Sequence, residues 1–371
     1  MNKFVPAETF PPGEFLRDEL EARAWTQTEF AELIKRPIRL VNEIIAGKRA
    51  ITPETAHDFA EAFGTSAQLW MNLESSWQLS KVSPRSKKIA REAALRERFP
   101  VRDMIKRGWI AATKSLDELE ASVFMFFGIK SLNDPIGKPH IARRNYEGEV
   151  TVAQWAWIYR VNQLAAALQV PAHSGSRLRS AIPELENLMT EPEEIRHVPK
   201  ILAECGIRLV IVEPIPGSEI QGVCFWINDD KSPVIGLTMK GDQIDKFWFN
   251  LWHEIEHVLK GEGKGQIIIE DFDEANEKLD DSEKNANRSA ADRCVPLASM
   301  QDFIRRHSPM FSEKNLIGFS RIVKRHPGIV AGQIQRRTER WDLFKKHQPR
   351  VRDILIQTAL TDGYGRTGPG L

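Results

Sequence analysis

The sequence predicts a mainly α chain with a small β-sheet, an α+β protein in two principal parts. Three observations predict it. Apolar residues recur at steps of three and four through residues 1–80; β-branched runs divided by turn residues fill 207–238; helical spacing then returns around His253-Glu254-Ile255-Glu256-His257.

The bulk numbers set the frame. The 371 residues are 42% hydrophobic and 28% charged, ordinary for a globular protein and too many for one small core. No run reaches the ~18 apolar residues that span a bilayer. The opening MNKFVPAETFPPGEFLRDEL lacks the apolar stretch of a secretory signal, so a cytoplasmic protein without a membrane partner is expected. Cys205, Cys224 and Cys294 lie far apart with no Cys-x-x-Cys pair, against a disulfide framework or a cysteine metal cage. A net charge of +1 leaves partners to be decided by local patterning.

Within 1–80 the set Phe15, Leu16, Leu20 and Ala24 marks a first helix, and Phe30, Leu33 and Ile34 a second running from Thr26 to Ile34. A third covers Ile38 to Ala46 and stops at Gly47; Thr52-Pro53 opens a fourth through Phe63, closed by Gly64; Ser66 to Leu79 forms a fifth. On the third helix Arg39, Asn42 and Glu43 are the polar positions between Ile38, Leu40-Val41 and Ile44-Ile45. Asn and Arg are the side chains that read adenine and guanine edges. Gln27 lies in the first turn of the second helix, and Arg36, Lys48 and Arg49 flank the third, placed to touch phosphates. Together with Lys35, these residues focus positive charge around the third helix in a module that is not basic as a whole.

Residues 11–80 resemble HigA-like antitoxins of the XRE/Cro helix-turn-helix type. The resemblance is carried by Thr26 to Leu33, by Val41 to Ala56, and by Gly64 to Glu74. It implies a five-helix lambda-repressor-like fold, dimers on a palindromic operator in double-stranded DNA, repression of the protein's own transcription, and neutralisation of a toxin encoded alongside. Where that family ends with a glutamine and Tyr-Asp-Leu, this chain has Glu74 and Trp77-Gln78-Leu79.

Residues 81–200 are expected to form a helical connecting region. Its start is basic, with Arg85, Lys87, Lys88, Arg91, Arg96, Arg98, Arg102, Lys106 and Arg107 against Glu92, Glu97 and Asp103, which reads as a solvated linker helix or a phosphate-touching arm. Capping boxes are expected at Ser115/Glu118, Thr151/Gln154 and Thr190/Glu193. The next domain is placed at 201–345, with strands at Ile207–Val212, Gly222–Ile227 and Val234–Thr238 forming an antiparallel sheet. A helix from about Asp242 to Lys260 follows, then a glycine- and acid-rich loop, then a helix from Asp281 to Cys294. Residues 346–371 are expected to be a tail, its end GYGRTGPGL without fixed structure.

His253 and His257 are four apart, on one face of a helix, the spacing with which two imidazoles converge on one zinc ion. Ile244, Trp248, Leu251, Ile255 and Leu259 form an apolar stripe across the helix from them. Glu254 is placed to act as the general base on a water that zinc has acidified. A catalytic zinc takes three protein ligands, and Glu270, Asp271, Asp273, Glu274, Glu277, Asp280, Asp281 and Glu283 all follow; spacing does not choose among them.

Residues from about 201 to 296 resemble the ImmA/IrrE family of zincin-like metallopeptidases. The resemblance rests on Gly206-Ile207, on Phe247 to His257, and on Glu283-Lys284-Asn285-Ala286-Asn287-Arg288-Ser289-Ala290 before Pro296. It implies a zincin-like domain with Zn2+ held by His253, His257 and Glu283. Departures are Glu256 for a glycine, Ser289 for a phenylalanine and Arg293-Cys294 for a leucine pair; Cys294 is expected to be a buried thiol. The combined expectation is a DNA-binding regulator of antitoxin type carrying a zinc-dependent peptidase that cleaves a partner or repressor protein. The alternative is an autorepressor whose zinc domain only senses or binds a partner.

Overall fold

The computed structural model describes residues 9–81, 88–137, 150–265, 267–271 and 281–365. The chain separates into two compact units, 1–91 and 92–371.

The first unit holds helices α1 (Pro12–Ala22), α2 (Gln27–Leu33), α3 (Ile38–Ile45), α4 (Pro53–Phe63) and α5 (Ala67–Lys81). Their ends are set by the expected signals. Thr26 and Glu29 form a full capping box on α2, Thr52 accepts from Thr55 N ahead of Pro53, and Gly64 closes α4 in the left-handed conformation. Leu16, Phe30, Val41, Phe59 and Trp70 are almost fully buried. Phe30 stacks on Phe63 at 4.7 Å and Phe59 meets Trp70 edge-on at 5.1 Å. Buried Glu74 accepts from Ile51 N at 3.0 Å and from Gln78 Nε2 at 2.6 Å, pinning the α3–α4 loop to α5. The helical spacing overstated this core. Phe15 and Leu33 are 40% and 54% exposed, and Ala24 has already left α1 with φ 55°. The short helices bury a narrower stripe than the apolar spacing suggests.

The second unit contains, in order, α6 (Lys88–Arg98, whose first turn precedes the division), α7 (Val101–Lys106), α8 (Leu116–Phe127), α9 (Val152–Ala167), α10 (Gly175–Asn187), α11 (Val198–Glu204), β1 (Arg208–Val212), β2 (Ile220–Ile227), β3 (Ser232–Leu237), α12 (Ile244–Lys260), β4 (Ile268–Asp271), α13 (Asp281–Cys294), α14 (Leu297–His307), α15 (Glu313–Val323), α16 (Pro327–Thr338), α17 (Arg352–Leu355) and β5 (Leu360–Asp362). One sheet runs β4-β2-β3-β1-β5. It is mixed, not antiparallel: β1 pairs in parallel with β3 and β5, while β2 pairs antiparallel with β3 and β4. The segment 213–219 lets the β2–β3 hairpin arrive with β3, rather than β2, beside β1.

Helices cover both faces of the sheet. Leu209, Ile211, Cys224, Trp226, Ile235 and Leu237 share a core with Trp248, Leu251, Trp252 and Ile255 of α12. Val210, Val212, Val223, Phe225 and Val234 share the other with Phe127 of α8 and Trp157 and Val161 of α9. All five residues of β1 are buried, as such a sandwich requires.

This packing corrects the expected connecting region at 81–200. Its helices α6 to α9 from Leu95 onward line one face of the sheet, where Trp157 Nε1 donates to Val212 O at 3.0 Å, and Leu178 and Leu185 of α10 with Val198 of α11 join the core on the other. The basic run divides. Lys88, Arg91, Arg96, Arg102 and Lys106 are exposed, Arg107 is structural, and Arg85 and Lys87 lie outside the described residues. Of the three expected capping boxes, Thr151/Gln154 forms in full; Ser115 accepts from Glu118 N, but its own N–H donates to Thr113 Oγ1 at 3.1 Å, so no box closes there. Thr190 instead ends a 3-10 turn and donates to Asn187 O at 3.0 Å. The 346–371 tail is corrected too, because it contributes β5. Buried Asp362 accepts from Arg107 Nη2 at 2.9 Å, from Trp109 Nε1 at 3.2 Å and from Arg160. Of GYGRTGPGL, only residues 363–365 are described, and Tyr364 N donates to Glu213 Oε2 at 2.9 Å.

Replacing Asp362 by alanine leaves two largely buried guanidinium groups without their shared carboxylate. The expected loss is about 3–5 kcal/mol of the second unit's stability, read as a lower urea midpoint; an unchanged midpoint would contradict this account.

Candidate functional site

α12 carries His253, Glu254 and His257. It starts after Gln243, ends at Gly261 and is enclosed on nearly every side. The apolar stripe and the histidine face opposite it are both buried. Ile244, Trp248, Leu251 and Ile255 are fully buried, and His253, Glu254 and His257 are 1%, 1% and 0% exposed. Burying two imidazoles and a carboxylate is costly unless each polar atom has a partner.

The partners are supplied from both sides. His253 Nδ1 lies 3.1 Å from Asn287 Oδ1 on α13, and His257 Nδ1 lies 2.6 Å from Glu262 Oε2. Acceptors at both Nδ1 atoms select the tautomer that turns each Nε2 lone pair inward. The two Nε2 atoms are 2.9 Å apart, and Glu283 of α13 reaches them at 3.2 Å and 3.5 Å. His253, His257 and Glu283 thus each offer one donor atom that could hold a metal ion, and these atoms all lie within 4.8 Å of one another. A tetrahedral zinc with bonds of ~2.0–2.1 Å has edges of about 3.3 Å. The donor set and spacing therefore fit such an ion.

The electrostatics agree. Burial, and next the neighbouring His253, holds His257 below the usual imidazole range and keeps it in the neutral, ligating form. Burial alone would raise Glu283, but the His253 hydrogen bond and the charges of His253, His257 and Lys260 more than offset it and hold the carboxyl below its usual value. Cys224 on β2 is pushed well up, by burial and then by Glu254, Glu262 and Glu283. Cys294 is fully buried and pushed up to about 12 by burial, as expected for a packing thiol. Arg293, in the expected leucine position, lies over the Trp252 ring at 5.2 Å, and Glu256 pairs with Lys260 at 3.6 Å.

Of the open choices for a third ligand, Glu283 meets the histidines and the exposed Asp281 does not. Asp273, Glu274, Glu277 and Asp280 lie outside the described residues, as do the side chains of Glu270 and Asp271. The expected acid-rich loop contains β4, paired with β2. Glu262 and Asn287 were missed. Both carried a signal: Asn287 is one turn beyond Glu283 on the same helix face, and Glu262 follows Gly261, whose φ of 70° turns the chain back.

In the first unit, Gln27, Arg36, Arg39, Asn42, Lys48 and Arg49 are exposed and Glu43 is half-buried. Glu43 organises this surface, accepting from Arg39 Nε at 2.6 Å and from Arg49 Nη1 at 3.2 Å. Arg36 instead pairs with Asp58 of α4 at 2.7 Å. The second and third helices thus present amide and guanidinium groups on short supports, the second closed by the Thr26/Glu29 capping box.

Comparison with known proteins concerns this unit. A helix-turn-helix family profile matches residues 16–70. An uncharacterized HTH-type transcriptional regulator, YddM of Escherichia coli, is 30% identical over 19% of this chain and 74% of its own length. Virulence-associated protein A of Dichelobacter nodosus is 38% identical over 18% of this chain and 65% of its own. Among solved structures, the Pseudomonas aeruginosa antitoxin HigA with the higBA promoter is 36% identical over 20% of this chain and 82% of that one, with a TM-score of 0.20. A HigA-family antidote protein from Coxiella burnetii is 27% identical, covering 21% and 99%, with a TM-score of 0.19. Through residues 16–70, the chain belongs to the helix-turn-helix family of transcriptional regulators.

Proposed function

We propose that the protein is a DNA-binding regulator of antitoxin type whose second unit is a zinc-dependent peptidase acting on a partner or repressor protein. The observation that carries the peptidase reading is the meeting of Glu283, from a separate helix, with two histidines whose other nitrogens are already anchored. Two inward lone pairs and a carboxylate at such short range repel one another unless a proton or a metal cation is shared among them. His253, His257 and Glu283 would hold zinc, which when bound acts as a Lewis acid toward the carbonyl and its attacking water. Glu254, next to the first ligand in sequence, takes the proton from that water and returns it to the leaving nitrogen. Asn287 and Glu262 keep both rings aimed inward.

The DNA-binding reading rests on α3. Asn42 and Arg39 face outward for base edges, while Gln27, Arg36, Lys48 and Arg49 serve the phosphates. Glu43 holds Arg39 and Arg49 ready at little cost in side-chain freedom. One recognition helix reads one half-site, so the working form on a palindromic operator is a dimer.

Three outcomes are expected. Glu254→Gln retains zinc, measured by metal analysis, but lowers proteolysis about 100-fold or more; the readout is the loss of newly formed protein N-termini in cells expressing the variant. The same set of termini in both strains would leave the sensing role in place of the peptidase. Glu262→Gln and Asn287→Ala each weaken zinc binding about 10–100-fold in a chelator competition. On DNA upstream of its own gene, Asn42→Ala costs about 1–3 kcal/mol in a gel-shift titration and changes binding to unrelated DNA little; equal losses on both would remove Asn42 from base reading.

A further inference from the structure

A second concave site lies on α12, toward its N-terminal end. This cleft of about 190 Å³ is framed by four segments of the second unit. Lys240 comes from the stretch after β3, Asp245 and Lys246 from the first turn of α12, and Arg336 from α16, with Trp341 at the edge. Its polar wall includes Gln221 and Asn250, themselves joined by a 3.1 Å hydrogen bond. Two cationic side chains from two helices, Lys246 and Arg336, therefore converge on one small hollow, while Lys240 at its rim is paired with Glu219 at 2.7 Å.

Two features show that the hollow is built. Arg336 is held in place with its guanidinium 3.7 Å from the centre of the Phe249 ring. Asp245 is largely buried, and its Oδ1 has no hydrogen-bond partner among the described residues. α16 approaches this carboxyl at Gly332, where even a methyl group would come within 2.4 Å of Asp245 Oδ2. The glycine thus permits an unusually close carboxyl rather than a filled core.

We propose that this cleft binds a carboxylate, either that of a small free acid or that of an acidic or C-terminal peptide group. Lys246 and Arg336 supply the charge, Arg336 as a planar fork matched to a carboxylate. Asp245 supplies the discrimination. Burial pushes it up to about 6, against the lowering effects of its own backbone, of Lys246 and of Gln348. Facing it are Lys246 on its own helix, Lys240 ahead of that helix, Gln333 and Arg336 on α16, and Gln348; the buried Cys294 thiol senses its charge from α13. In the protonated form its hydroxyl donates to a bound carboxylate. In the ionised form it repels one, and a phosphate dianion more strongly.

The site's position on α12 relates it to the metal-ligand cluster without depending on that cluster. Lys246, Asn250, His253 and His257 are spaced at four, three and four residues, one stripe of a single helix. Lys246 and His253 are therefore about 10 Å apart along the axis. A peptide carboxylate in the cleft would lie beside the cluster; a free acid would occupy the cleft alone.

Calorimetric titration of the full chain, stripped of metal and then dialysed free of the chelator, itself a polycarboxylate, tests this with four probes. They are succinate, inorganic phosphate, an acidic peptide with a free C-terminus, and the same peptide amidated with its side chains neutralised. Saturable binding of succinate or of the acidic peptide is expected, with the neutral peptide silent and phosphate weaker. Succinate binding assigns a free acid; binding confined to the acidic peptide assigns a substrate anchor. Binding is expected to weaken about tenfold from pH 5.5 to pH 7.5, and Asp245→Asn to flatten that dependence. Lys246→Gln, at an exposed position, and Arg336→Gln should each weaken binding about tenfold, the loss of one charge-assisted contact. Glu254→Gln should leave it unchanged, so failure of hydrolysis and failure of this site are separable. No binding of either carboxylate, or binding indifferent to both cation variants, overturns the proposal.

Discussion

Everything proposed for the second unit depends on holding two imidazoles in a buried interior with their outer nitrogens already engaged. A histidine pair at helical spacing on a surface would rotate freely and prefer water. Here α12 is shut between the sheet and α13, and the ring orientations are fixed by Asn287 and Glu262. The aromatic flank serves that end. Trp248 and Trp252 stack at 6.2 Å, and Trp252 Nε1 reaches Met189 Sδ at 3.4 Å, so the helix cannot roll without breaking its own core. The geometry of the two rings is thereby a property of packing, more rigid than a loop would provide.

The sheet explains why this enclosure is possible. Its two faces feed separate apolar clusters, one under α12 and one under α8 and α9. Alternate residues of β1 serve each, Leu209 and Ile211 on one side, Val210 and Val212 on the other. The first unit solves a smaller version of the problem. A short third helix has little core of its own, and its polar face is ordered by Glu43 and by the Glu74 link to the loop that follows it.

Local signals in the sequence were accurate where the physics is local. Thr26, Thr52, Gly64 and Thr151 mark helix ends because caps are satisfied within a few residues. His253 and His257 were readable because spacing on a helix determines which residues share a face, whereas Glu283 was singled out by family resemblance and not by spacing. What escaped is non-local. The parallel pairing of β1 with β3, the recruitment of residues 360–362 into the sheet and the packing of α9 on β1 all depend on contacts between distant segments. Thr190 failed as a cap for a related reason: the chain around it is held in 3-10 turns, and Ile195 is fully buried.

The late arrival of β5 has a consequence for biosynthesis. The first unit's helices are complete by Lys81, so it can condense while most of the chain is still being made. The other unit must wait for Asp362 to leave the ribosome before Arg107, Trp109 and Arg160 find their common acceptor. During that interval the β1 edge is open, and a nascent chain stalled there exposes an unpaired strand for chaperones to guard.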